Sequence, residues 1–266
     1  MKDKIEFVST LSGVSDMFPI LPSSKYWPKW ISKAMADYKA NMNKTEKFRH
    51  VAQCPGIFAM FKTGYIATSW YDVIISTSKN EKGFQWKVAD ADLIEHANMK
   101  LVDTHGDQIG KHIPKRKGQI ENIVKINTPY HIIAPKGVKF MFMPLPYPDS
   151  FDYESVTGIL DPTESSELNI QLNWYKEEGE VLIKAGTPLM YILPISEKEY
   201  SVVSRDATEK EMNWIKKRIT VPIIISIYFI FSKLNLFGPV PLKIPTRTRI
   251  CLINIWLNFS INPSFI

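Results

Sequence analysis

Between residues 130 and 203, apolar and polar side chains alternate in short runs separated by turn residues. Leu168, Ile170, Leu172 and Trp174 alternate strictly with Asn169, Gln171 and Asn173, the period of a strand with one wet face. Residues 189–195 are almost wholly apolar and predict a strand buried on both faces. Glu177-Glu178-Gly179 turns the chain into 181–183, and Ala185-Gly186-Thr187-Pro188 leads into the apolar strand. Residues 130–133 and 138–143 flank Ala134-Pro135-Lys136-Gly137, where Pro suits a type I turn and Gly the left-handed position that closes a bulged hairpin. A further strand is expected at 199–204. Upstream, 65–77 reads as one strand, and Phe84, Trp86 and Val88 alternate on its hairpin partner across the polar turn 78–83.

The period changes at the two ends. In 23–42, Trp27, Trp30, Ile31, Ala34, Met35 and Tyr38 recur at i, i+3 and i+4 and predict one apolar helical face. Thr208 and Glu211 stand at capping-box spacing and open a short helix through Arg218. The expected fold is mainly β (α+β): a β-sandwich or barrel-like core with a short helical N-terminal region, about 1–64, and one C-terminal helix. Residues 1–218 form the single β-rich domain, and 219–266 an atypical tail.

Composition sharpens this at one point. The net charge is +6, yet Lys233, Lys243, Arg247 and Arg249 are the only charged residues after Arg218, and no acidic residue follows Glu211. Setting those four aside from the 33 basic residues leaves 29 against 27 acidic ones. A body so evenly mixed is a solvated surface, and nucleic-acid binding is not expected. The apolar run 219–231 is short for a membrane span, contains Pro222 and is followed by Pro239, Pro241 and Pro245. Three readings of the tail compete: a membrane-associating segment, an apolar extension packed on the body, or translation of a shifted reading frame, which is favoured because AT-rich DNA read out of frame yields such Ile, Phe, Asn and Ser. Membrane contact is expected only if the tail is genuine. The first residues lack the apolar run of a secretory signal, and two distant cysteines, Cys54 and Cys251, suit a reducing, cytoplasmic compartment.

Candidate chemistry is sparse. His96, His105 and His112, with Asp103 and Asp107 between them, are the densest set of possible metal ligands, but no HxH or HExxH spacing places two on one face. Cys54 would need a base such as His50 or His131 to act as a nucleophile. Five of the seven tryptophans, Trp27, Trp30, Trp70, Trp86 and Trp174, could stack a ligand, but their spacing assigns them to core and rim. The 12 glycines form no GxGxxG, GKS or GxSxG pattern, and no cofactor is indicated.

Two resemblances follow from motifs. Gly158-Ile159-Leu160-Asp161, the 168–174 strand and Ala185-Gly186-Thr187-Pro188 resemble the core of deoxyuridine triphosphatases and related deaminases, in which such an aspartate activates water; this implies a possible catalytic role for Asp161. Here Pro162-Thr163-Glu164 replaces the tyrosine and glycine of that pattern, and Tyr191 stands where a glutamine follows the glycine turn. Over residues 5–218 the chain resembles a family of proteins of tailed phages, especially marine ones, with bacterial relatives and no attached activity. The matching stretches are Pro28-Lys29-Trp30, Cys54-Pro55-Gly56, Thr63-Gly64-Tyr65-Ile66 with Asp72, His105 with Gln108, Lys125-Ile126-Asn127-Thr128-Pro129, Ala134-Pro135-Lys136-Gly137, Gly158–Asp161 and Ala185–Pro188. The likeness implies a place in the host cytoplasm or the virion, and its end at the tail supports the shifted-frame reading. The leading expectation is a non-enzymatic β protein that binds a protein partner or self-associates. The alternative is a small-molecule or nucleotide-related enzyme or binding protein with a pocket in 130–195, where Asp161, His131 and His105 are the residues to suspect.

Overall fold

The structure is a computed structural model that describes residues 3–42, 50–79, 83–90, 92, 97, 99–105 and 112–216. In chain order the elements begin β1 (Lys4–Ser9), α1 (Val14–Met17), β2 (Leu21–Pro22), α2 (Lys29–Asn41), α3 (Pro55–Met60), β3 (Tyr65–Thr68), β4 (Val73–Thr77), β5 (Gln85–Val88) and β6 (Val102–His105). They continue β7 (Ile123–Ile133), β8 (Lys139–Met143), β9 (Tyr153–Ser155), β10 (Gly158–Leu160), β11 (Glu167–Trp174), β12 (Gly179–Ile183), β13 (Pro188–Ile195) and β14 (Ser201–Asp206). Single 3-10 turns occupy Ser23–Lys25 and Val51–Gln53. The chain is mainly β and sandwich-like, as the alternation predicts. It divides into two compact units, Met1–Ala207 and Thr208–Ile266. The second is described only as far as the helix over 209–216. There the Thr208 backbone N–H and hydroxyl both donate to Glu211, whose own N–H donates back to the Thr208 hydroxyl. This is the expected capping box. All readings of the tail fall outside the described residues.

Within the first unit three sheets enclose one core. The largest runs β14-β1-β7-β11-β9, with β6 also paired to β7; the second runs β10-β8-β13-β3-β2, and the third β12-β4-β5. Side chains of all three, among them Phe7, Ile126, Leu172 and Trp174, Phe140 and Ile192, and Val73 and Ile183, pack into the same cluster. Phe7 reaches across the sandwich to Tyr65 and Phe140, with ring centroids 5.8 and 6.5 Å apart. β11 keeps its predicted alternation, with Leu168, Ile170, Leu172 and Trp174 fully buried.

β7 is the spine of the largest sheet. β11 lines one edge, while β6 and β1 share the other. A proline inside a central strand removes a ladder donor and is tolerated only at irregularities. Pro129 sits where the β7–β11 register shifts, between the pairs Glu167–His131 and Asn169–Asn127. Its carbonyl accepts from the Thr10 backbone N–H at 2.8 Å, and the Thr128 hydroxyl donates to the Leu168 carbonyl at 2.5 Å. The bulge is thus closed by side chain and neighbouring strand.

Three sequence expectations need correction. The run 65–77 is two strands in different sheets, because the chain turns at Ser69-Trp70-Tyr71, where the Ser69 hydroxyl donates to the Tyr71 carbonyl. The turn at 134–137 has the predicted geometry, with Gly137 at φ 91°, but it carries the chain from β7 in one sheet to β8 in another and closes no hairpin. Only Leu189, Met190, Tyr191 and Ile192 of β13 are buried; Leu193 onward is not. The β4–β5 hairpin forms as expected.

Candidate functional site

A cleft of about 760 Å³ opens at one end of the sandwich, within the first unit. One wall is the start of the helical region. Lys25, Tyr26 and Trp27 precede α2, and Lys29 begins it. Trp27 stacks on Phe61, with centroids 6.1 Å apart, and Trp30 meets the same buried ring edge-on at 6.4 Å. The apolar face predicted for 23–42 forms on α2 only from Trp30 onward, while Trp27 lies before the helix. That face seats α2 on α3 and leaves the Trp27 side of its N-terminal end facing the cleft.

The opposite wall is a strap, residues 144–151, that leaves β8 in one sheet and enters β9 in another. Pro144, Pro146 and Pro148 fix φ at alternate positions and favour extended neighbours, so the strap is stiff. Tyr147 nevertheless adopts φ 51°, a left-handed value that costs a non-glycine residue about 1 kcal/mol or more. Three contacts hold it there. The Lys29 backbone N–H donates to both Asp149 carboxylate oxygens at 3.1 and 3.3 Å. The Trp30 indole N–H donates to the Tyr147 carbonyl at 3.2 Å, and the Trp30 and Tyr147 rings meet edge-on at 5.8 Å.

The floor comes from the ends of β9, β11 and β13. Tyr153 stacks on fully buried Trp174 at 5.4 Å, with the planes 14° apart. Glu154 is held from two sides: Arg116 donates to Oε2 at 2.9 Å and the Tyr175 hydroxyl to Oε1 at 2.5 Å. The Arg116 guanidinium also lies 6.0 Å from the Tyr175 ring centroid. Burial, reinforced by the hydrogen bond and charge of Glu154, pushes the Tyr175 phenol up to about 12. Arg116 and Lys117 are presented by a turn closed by the Gln119 N–H on the Arg116 carbonyl, with Gly118 at φ 83°.

The charge of the lining is uneven. Lys25, Lys29, Arg116 and Lys117 face two carboxylates, Asp149 and Glu154. Both carboxylates are engaged, Asp149 by the Lys29 backbone and Glu154 by Arg116 and Tyr175. Among the described residues, Lys25, Lys29 and Lys117 pair with no carboxylate. Most of the remaining lining is aromatic, proline or aliphatic, and three aromatic side chains on or beside the lip stand in water: Phe151 is 78% exposed, Tyr147 54% and Trp27 40%.

The residues singled out from sequence do not converge here. Asp161 follows β10, where its Oδ1 accepts from the Thr163 N–H at 2.9 Å and hydroxyl at 2.7 Å, and its Oδ2 lies 3.6 Å from the Lys139 ammonium. Those hydrogen bonds, then Lys139, hold its carboxyl below the usual range. It closes a turn. His131 is buried on β7, its Nδ1 3.1 Å from the Ser166 hydroxyl. His105 ends β6 with Nε2 enclosed and unpartnered among the described residues, and burial, then Lys125, lowers its pKa. His112 is exposed, while His96 and Asp107 lie outside the described residues. No group of three or more metal-ligating side chains forms among the described residues. Cys54 is half-buried at the start of α3, and the His50 ring caps the turn before it by accepting from the Ala52 N–H. None of the described side chains among these lines the cleft. Of its own residues only Trp27 was weighed for binding from sequence, as one of the tryptophans that could stack a ligand; Arg116, Lys117 and the strap carry no motif. No helix among the described residues is long and apolar enough to cross a membrane.

Set beside known proteins, the chain matches no family model, no curated protein and no solved structure.

Proposed function

We propose that this is a non-enzymatic binding protein that docks a segment of a protein partner in the cleft between α2 and the strap, in keeping with the phage-type resemblance of its sequence. The observation that carries the reading is the exposure of Phe151, Tyr147 and Trp27 around one cleft mouth. Aromatic surface left in water is unfavourable by roughly 25 cal/mol per Å², and such side chains anchor protein interfaces when a partner covers them. Asp161 and His131, the residues suspected of chemistry, are committed to a turn and to Ser166, which further favours binding over reaction.

The test is a photo-crosslinking residue placed at Phe151 in the full chain and irradiated in the native cell. A discrete protein adduct is expected there, and none from the same residue at Ile159, which is 62% exposed but lies on β10, outside the cleft. Equal labelling at both positions would refute the reading.

A further inference from the structure

Resting on that docking reading, we infer that the partner segment is acidic: an extended stretch of Asp or Glu residues around at least one large apolar side chain. The argument starts from the charge left over in the cleft. Arg116 offsets the charge of Glu154, which Tyr175 also hydrogen-bonds, and Asp149, whose carboxylate accepts the first N–H of α2, is the one other anion, so the lining keeps an excess of two positive charges. Three lysine ammoniums pair with no carboxylate among the described residues: Lys25 and Lys29 on the α2 wall and Lys117 beside Arg116 at the floor. Cations lining one cleft repel one another unless a counter-charge joins them, and low-dielectric walls strengthen both the repulsion and its relief.

Shape and stiffness point the same way. The cleft lies between two proline-bearing walls and is floored by aromatic rings, a surface that accepts extended backbone with intermittent apolar side chains. The exposed Trp27 and Phe151 supply apolar contact, and the lysines supply register and attraction, so an acidic flank around a buried anchor complements the whole surface. Lysine is a mobile point charge and suits side-chain carboxylates arriving at varied positions along a peptide. The guanidinium, which would fork onto a single fixed carboxylate or phosphate, is already taken by Glu154.

The experiment uses the full chain and fluorescein-labelled peptides in an anisotropy titration. One peptide carries Glu and Asp around Leu and Phe; a second replaces each acid by Lys; a third replaces each by Ser; AMP and inorganic phosphate serve as competitors. The acidic peptide is expected to bind roughly tenfold or more tightly than the Ser peptide, to weaken with salt, and to resist displacement by AMP or phosphate. The decisive variant is Lys25→Glu/Lys29→Glu/Lys117→Glu. All three side chains are exposed, so the fold is retained, which circular dichroism checks. The variant is expected to reverse the order and prefer the Lys peptide. Equal binding of the acidic and Ser peptides, with no reversal in the variant, would overturn the acidic assignment while leaving the docking reading in place. If no peptide binds, or if AMP displaces the peptide at low occupancy, both readings fall.

Discussion

The carboxylate of Asp149 caps a helix that begins 120 residues earlier in the chain, at the Lys29 backbone N–H. Pro28, at the N-cap position of α2, offers no side-chain acceptor, so the strap provides the cap the local sequence lacks. Asp149→Ala is therefore expected to lower stability by about 1 kcal/mol, read as a shift in the urea midpoint, and to raise hydrogen exchange at 29–31 and 144–151 together. A loss confined to one of the two segments would show that the strap and the helix are not joined through this contact.

Gly64 provides a sharper test of how the helical region sits on the second sheet. At φ 77°, a β-carbon there would lie 2.6 Å from the Ile192 carbonyl oxygen and 2.9 Å from the Tyr191 ring. The Tyr191 hydroxyl donates to the carbonyls of Met60, at 3.1 Å, and Thr63, which fixes the ring in place. Gly64→Ala is expected to cost about 3 kcal/mol or more, since backbone strain and a clash add. Gly186→Ala, at φ 82° but facing open space, is expected to cost only about 1 kcal/mol. Equal urea midpoints for the two variants would contradict the packing described.

How far these features could be read in advance depended on whether the signal was local. The alternation of 168–174 and the Thr208–Glu211 capping box rest on neighbours within a few residues, and both appear as expected. The 134–137 turn was legible as a turn, but turn chemistry does not say whether the next strand pairs with the last or crosses to another sheet. Likewise a run as β-prone as 65–77 conceals the bend at Ser69–Tyr71, because Trp70 and Tyr71 suit a strand as well as a corner. There the Trp70 indole donates to the Asn127 carbonyl and the Tyr71 hydroxyl to the Leu101 carbonyl, contacts made to distant segments. The cleft was least legible of all. It joins residues near 27, 117, 149 and 175, and its lysines matter only because distant partners have already taken the carboxylates.

Three tyrosines set an alkaline limit, Tyr153 and Tyr175 in the cleft and Tyr130 in the core. Burial, first, and Glu154 push Tyr175 up to about 12, while burial pushes Tyr130 and Tyr153 up to about 12 as well. An unfolded chain ionises its tyrosines near pH ~10. Between those values the unfolded state has lost protons that the folded state keeps, so stability is fully present below about 10 and falls as pH rises toward about 12. Tyr175→Phe is expected to flatten part of that fall in urea midpoints measured across the window. An unchanged slope would mean that Tyr175 ionises as freely in the fold as outside it.

One hydroxyl closes the β11 side of the β7 bulge. Thr128→Val keeps the shape but leaves the Leu168 carbonyl without its 2.5 Å donor in a buried setting. A loss of about 1–3 kcal/mol is expected in denaturant unfolding. Thr128→Ser, which restores the hydroxyl, is expected to recover most of it. If Val and Ser variants unfold at the same midpoint, the hydroxyl does not close the bulge.

The most direct measurement is hydrogen exchange on the full chain with and without its crosslinked partner. Docking in the cleft predicts slowed exchange at 26–30, 116–119 and 144–151 and unchanged exchange at the β10 edge, 158–160. Protection centred on 158–160, with the strap and the first turn of α2 exchanging as before, would contradict it.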